Sequence, residues 1–127
     1  MKRMEMTQAH IRYLLAVYGQ MRSGAEVGTA GVARAVGVSG ASASRMLRVL
    51  MEQGLVVRRR YGKIYLTDQG FLLARGYDRC AAALEKRLGG LGLGLTEEET
   101  AELAAILAVS LPERIRRTLD KEAEAEC

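Results

Sequence analysis

The chain has 127 residues, of which 49% are hydrophobic and 27% charged, enough for one compact domain with a real core or one small domain with an appendage. No apolar run approaches the roughly 18 residues of a membrane span, and the opening MKRMEMTQAH turns polar where a signal peptide would be apolar, so a cytoplasmic protein is expected. Two cysteines, Cys80 and Cys127, make no disulfide framework. The net charge of +4 is unevenly spread: Met1 to Leu88 carries 15 Lys/Arg against 6 Asp/Glu, and Gly89 to Cys127 carries 4 against 9. A basic front and an acidic back point to a polyanionic partner for the front only. The basic excess is mostly arginine, which forks onto phosphate better than lysine.

In chain order, Thr7 to Met21 reads as a first helix with Ile11, Leu14, Leu15 and Tyr18 on one face, broken by Arg22-Ser23-Gly24. Thr29 is the expected N-cap of a short helix from Ala30 to Val36, with Val32, Ala33 and Val36 inward, and Gly37 ends it. Ser39 is placed to cap the next helix, Gly40 to Gln53. Steps of 100° put Ala43, Met46, Leu47 and Leu50 on one side of that helix. Ala41, Arg45, Arg48 and Glu52 fall on the other, flanked by Ser42 and Ser44. Two helices joined by a short glycine-centred turn describe a helix-turn-helix. Leu55 to Arg60 and Lys63 to Leu66 are short strand-like runs around Tyr61-Gly62, which makes a hairpin with a basic tip. A helix-turn-helix followed by such a hairpin is a winged helix.

Thr67 caps a long helix from Asp68 to about Leu88, with Leu73, Tyr77, Cys80, Ala81, Leu84 and Leu88 on one face. GGLGLG, Gly89 to Gly94, lacks the lysine of a phosphate loop and reads as a flexible joint. Thr96 and Glu99 form a capping-box signature for a helix through about Val109, whose main buried face is expected at Thr100, Leu103, Ile106, Leu107 and Ser110. Alanines leave little polar surface on its other sides, which suggests a subunit interface at Leu103, Ile106 and Leu107. A last helix starts near Pro112, with Ser110 and Glu113 as a second capping box, and frays into an acidic tail. The expected fold is therefore mainly α with a small β-hairpin: a winged helix-turn-helix over residues 1–67, then a helical dimerisation region over 68–127.

Reading duplex DNA requires phosphate neutralisation and short side chains close to base edges in the major groove. Ser39, Ala41, Ser42 and Ser44 meet the second demand in the first turn of the second motif helix. Arg45 is long enough for a bidentate contact to guanine; Arg48, Arg58, Arg59, Arg60 and Lys63 are better placed for phosphates, and Tyr61 for the backbone. No nucleophile–base spacing, paired acid or phosphate loop indicates an enzyme.

The opening TQAHIRYLLAVY, the helix pair VARAVGVSGASASRMLRVL, the GLV opening of the first strand and the LTDQG exit from the wing resemble the diphtheria-toxin-repressor and manganese-transport-regulator (iron-dependent repressor) family over about Thr7 to Leu88. These features are shared with winged-helix regulators of the multiple-antibiotic-resistance type. The resemblance implies a homodimeric repressor on a palindromic operator, with Mn²⁺ or Fe²⁺ as corepressor. In that family the ion is held by acidic residues on the first helix, a histidine after the wing and a Glu-x-x-Glu-His cluster on the dimerisation helix. Here those positions fall on Ala9 and Arg12, on Cys80, and on ELAAILAVS, while His10 is one residue out of place. Manganese prefers several oxygen or imidazole ligands, so no metal ligand set is expected.

Cys80, on an apolar helix face, is expected to be a core residue, with a thiol switch or a soft-metal pairing with His10 near Arg79 as the sharper alternative. Cys127 is incidental on that reading. Two further functions stand beside the leading one: a winged-helix protein-interaction module docking through the acidic second half, and a thiol- or small-molecule-responsive regulator.

Overall fold

A computed structural model describes residues 6–125; Cys127 lies outside them. The elements are α1 (Gln8–Arg22), α2 (Thr29–Val36), α3 (Gly40–Glu52), β1 (Val56–Arg58), β2 (Ile64–Leu66), α4 (Asp68–Gly89), α5 (Glu97–Ser110) and α6 (Glu113–Ala125). Mainly α with one antiparallel hairpin, this is a winged helix followed by helices. The chain divides into two compact units between Ala74 and Arg75, so α4 gives its first turns to the first unit and the rest to the second.

The first unit is built on α1, α2, α3 and the hairpin. Leu14 and Val17 of α1 meet Val32 of α2 and Leu47 and Leu50 of α3 in a core where each is essentially fully buried, and Ile11 of α1 is fully buried as well. Each such side chain contributes about 1.5–3 kcal/mol by leaving water. Leu15, Val36 and Met46, expected inward, are half-buried at the margin of that core. Helix starts are fixed by side chains. The Thr7 hydroxyl accepts from the His10 N–H and His10 Nδ1 accepts from the Thr7 N–H at 3.1 Å, so α1 opens on a capping box in which histidine replaces the usual Glu or Gln. Thr29 is not the N-cap of α2: Gly28 holds that position, and Thr29 lies inside the helix with its hydroxyl turned to the hairpin. Gly37 closes α2 in the left-handed conformation, φ 83°.

The wing is shorter than its sequence suggests. Val56, Val57 and Arg58 pair with Leu66, Tyr65 and Ile64, and a tight turn over Arg60–Gly62 joins the strands. Tyr61 (φ 62°) and Gly62 (φ 72°) both take positive φ, the requirement of a type I′ hairpin turn, whose twist matches that of its strands. Where the chain leaves the wing, Thr67 caps α4: its hydroxyl accepts from the Gly70 N–H at 3.0 Å and donates to the Gly54 carbonyl at 2.6 Å. Gly70 is buried so closely on the wing base that an added Cβ would sit 1.9 Å from the Leu55 carbonyl oxygen.

In the second unit Cys80 of α4, Ala108 of α5 and Leu119 of α6 are buried together, with Leu84, Leu111 and Ile115 packed around them. The α4 face is buried at Tyr77 and Cys80 and half-buried at Ala81, Leu84 and Leu88. The Thr96–Glu99 capping box is present, and its hydrogen bonds hold the Glu99 carboxyl below the usual carboxylate range. The expected buried face of α5 is corrected. Ala104 and Ala108 are its fully buried residues, while Leu103, Ile106 and Leu107 are 38%, 50% and 36% exposed. With apolar residues on both sides, periodicity could not choose between them; close helix approach selects the smaller alanines. The second capping box is displaced as well. Ser110 is the last residue of α5 and donates to the Ile106 carbonyl, while the Pro112 carbonyl accepts the Ile115 and Arg116 N–H groups in the first turn of α6. Between α4 and α5, Gly92 and Gly94 both take φ 69°.

Candidate nucleic-acid interface

The second helix of the motif, α3, is anchored from inside and open outside. Ala43, Leu47 and Leu50 are fully buried, whereas Ala41, Arg45, Arg48 and Glu52 are exposed. Its first turn stays small for two reasons: the left-handed Gly37 makes the tight turn, and Ser39 is the cap. The Ser39 hydroxyl accepts from the Ser42 N–H at 3.1 Å and donates to the Ser42 hydroxyl at 3.1 Å. Arg45 Nη2 donates to the same Ser42 hydroxyl at 3.4 Å, forming a polar line Arg45–Ser42–Ser39 along the outward face. Ser39 is exposed; Ser42 and Ser44 are half-exposed beside that line.

The wing presents Arg58, Arg59, Arg60 and Tyr61 to solvent, Tyr61 being 95% exposed at the tip. The structure sorts the wing cations in a way local sequence does not. Lys63 Nζ lies 2.7 Å from Glu26 Oε1, and that hydrogen bond and charge raise the lysine pKa. Arg58 Nη2 donates to Thr29 Oγ1 at 3.3 Å, and the Ile64 N–H donates to the Val27 carbonyl at 2.9 Å. Three contacts thus tie the wing to Glu26 and Val27, between α1 and α2, and to Thr29, the first residue of α2. The guanidinium groups of Arg48, Arg59 and Arg60 have no hydrogen-bond or ion-pair partner among the described residues, which leaves them available to an external anion. Glu26 and Thr29 were missed from the sequence because nothing in their own neighbourhood marks a contact more than 28 residues further along.

The alternative sensor residues fall in different units. His10 is buried in the first unit with its Nδ1 committed to the Thr7 cap. Cys80 is fully buried in the second unit, and burial pushes its thiol up. The arginine whose charge acts on Cys80 is Arg116, not the expected Arg79, which pairs with Asp120.

A family model for the iron dependent repressor N-terminal DNA binding domain matches residues 5–64, the span holding α1, α2, α3 and the wing turn. Over these residues the chain resembles an iron-dependent-repressor DNA-binding domain. Solved structures extend the likeness beyond that span. A manganese-dependent transcriptional repressor in complex with manganese is 30% identical, with a TM-score of 0.75 over 91% of this chain and 52% of its own. The metal-dependent transcriptional regulator MtsR, at 24% identity, has a TM-score of 0.77 over 94% of this chain and 55% of its own, and shares the fold. So does the hypothetical protein SSo2273 from Sulfolobus solfataricus, with 19% identity and a TM-score of 0.66 over 92% of this chain and 88% of its own. The chain spans about half the length of the metal-dependent regulators it matches. No curated protein sequence matches it. Among the described residues no helix is long and apolar enough to cross a membrane.

Proposed function

We propose that this chain is a cytoplasmic transcription regulator, a repressor and not an enzyme, that binds duplex DNA through α3 and the wing. The observation that carries the proposal is the outward arginine face: Arg45 and Arg48 on one side of α3, with Arg59 and Arg60 at the wing tip, all exposed. Small residues at Ser39, Ala41, Ser42 and Ser44 allow the start of α3 close to base edges. Arg45 is the base reader, and Arg48, Arg59 and Arg60 neutralise phosphates. Arg58 and Lys63 act chiefly by holding the wing, and Tyr61 lies against the sugar-phosphate backbone.

The active form is a homodimer on a palindromic operator, joined through Leu103, Ile106 and Leu107. Three large apolar side chains at i, i+3 and i+4 on one exposed helix face suit a symmetric contact with a second copy.

Fluorescence anisotropy with a duplex of arbitrary sequence, titrated at several salt concentrations, tests the reading without knowledge of the operator. Each neutralised phosphate contributes about −0.9 to the slope of log affinity against log salt. A slope of roughly −3 or steeper is expected from the free arginines. No binding at low salt, or affinity indifferent to salt, overturns the reading in favour of a protein-interaction module.

The manganese-dependent repressor named above holds manganese. The donors among the described residues do not fit such an ion. Among the described residues, no three of His, Cys, Asp and Glu come together in a group that could hold a metal. The His10 Nδ1 is occupied by a backbone N–H, and the Cys80 thiol is buried and held toward its protonated form, which is not the ligating form.

A further inference from the structure

Three side-chain contacts join α4 to α6 in the second unit, which holds no residue assigned to DNA. The Arg116 guanidinium lies over the Tyr77 ring, 4.3 Å from its centroid. Arg79 Nη1 is 3.7 Å from Asp120 Oδ1, and Arg87 pairs with Glu122. The partners follow the same order along both helices, so the contacts form successive rungs and not a single point of attachment. Two of the rungs flank a dry centre, the fully buried Cys80 against Ala108 and Leu119.

The chemistry of the middle rung is informative. Asp120 Oδ1 is enclosed and has no hydrogen-bond partner among the described residues. A carboxylate oxygen removed from water needs a positive charge nearby, and the Arg79 guanidinium supplies it from α4. Arginine suits this role because its charge persists at any physiological pH and its plane stacks on aromatic rings, as Arg116 does on Tyr77. The cationic groups bracing this unit are therefore built into the chain, in a protein whose described donor residues do not assemble for a metal.

We propose that arginine contacts between α4 and α6 brace the second unit in place of a divalent cation, and that folding and DNA binding by this chain are metal-independent. The DNA half of this statement rests on the function proposed above; the folding half does not.

Both halves are tested on the full chain after treatment with EDTA. Thermal unfolding is followed with no metal and with added Mn²⁺, Fe²⁺ or Zn²⁺, and duplex affinity is measured under the same four conditions. The expected result is a melting temperature that stays within about 1 °C and an affinity that stays within about twofold. An ion that raises the melting temperature by about 5 °C or more, or tightens DNA binding about tenfold, overturns the proposal, because a specifically bound ion stabilises the folded state by mass action. If the chain binds no DNA at all, the melting curves still decide the folding half.

Arg79→Gln and Arg116→Gln test the brace itself. Each is expected to lower the melting temperature by several degrees, with Arg116→Lys recovering part of the loss and no added ion recovering any. Arginine variants that melt with the wild type, or that an ion rescues, show that the rungs do not brace the unit.

Discussion

Two glycines in the same helix should respond to alanine with opposite signs. Gly70 and Gly76 both belong to α4, where alanine is favoured over glycine by about 1 kcal/mol in a helix interior. At Gly76 a Cβ meets nothing within 4 Å, so Gly76→Ala should keep most of that gain and stabilise by about 0.5–1 kcal/mol. At Gly70 the Cβ would lie 1.9 Å from the Leu55 carbonyl oxygen and 2.9 Å from its carbon. Both are backbone atoms at the base of the wing, and the same oxygen accepts from the Thr67 N–H at 3.1 Å. Relief requires α4 to back away from the wing base, straining the Thr67 cap that bonds Gly54 and Gly70. Overpacking of this kind costs about 1–3 kcal/mol and loss of a cap about 1 more, which outweighs the helix gain. Gly70→Ala should therefore destabilise by about 2 kcal/mol net, read as a lowered urea midpoint by circular dichroism. A Gly70→Ala protein as stable as Gly76→Ala would refute the close approach of α4 to Leu55.

Three other outcomes follow from the same structure. Ile106→Glu places a charge in the middle of the exposed α5 face and should convert a dimer to a monomer in sedimentation equilibrium with helix content unchanged; a dimer that persists contradicts the interface. Glu26→Gln releases Lys63 from its ion pair and removes a negative charge beside the wing, so binding to arbitrary duplex DNA should tighten and its salt slope should steepen; weaker binding would show that the Glu26 pair is needed to hold the wing in place. Cys80 should resist alkylation in the native protein and react fully in denaturant, with fast native labelling the opposing result. Because burial raises its folded pKa, the stability associated with Cys80 is present below the unfolded thiol pKa and is lost as pH rises through the folded one.

The winged-helix half of the molecule was legible in the sequence because its signals are local. Gly37, Ser39 and the period running from Ala43 to Leu50 mark the turn, the cap and the buried stripe within fifteen residues. Tyr61-Gly62 marked the hairpin tip, although the strands proved to be three residues each. What escaped depends on residues distant in sequence: the Glu26–Lys63 pair, the Arg58–Thr29 bond and the approach of Gly70 to Leu55. Thr29 shows the failure most clearly, since a threonine before an alanine-rich helix has the composition of a cap, yet its hydroxyl serves the wing. In α5 the difficulty was different. Leucines and alanines alternate around the helix, and hydrophobicity alone cannot show that the small side chains face the core.

The central claim is that the unengaged arginines of α3 and the wing meet DNA phosphates. Its most direct test compares the salt dependence of duplex binding by the wild type, by an Arg48→Ala/Arg59→Ala/Arg60→Ala variant, and by Arg75→Ala, which removes an equally exposed arginine from the second unit. The account predicts that the triple variant loses about 0.9 of slope per arginine, close to 3 in all, while Arg75→Ala stays near the wild type. A triple variant with the wild-type slope, or a control that loses as much per charge, would contradict it.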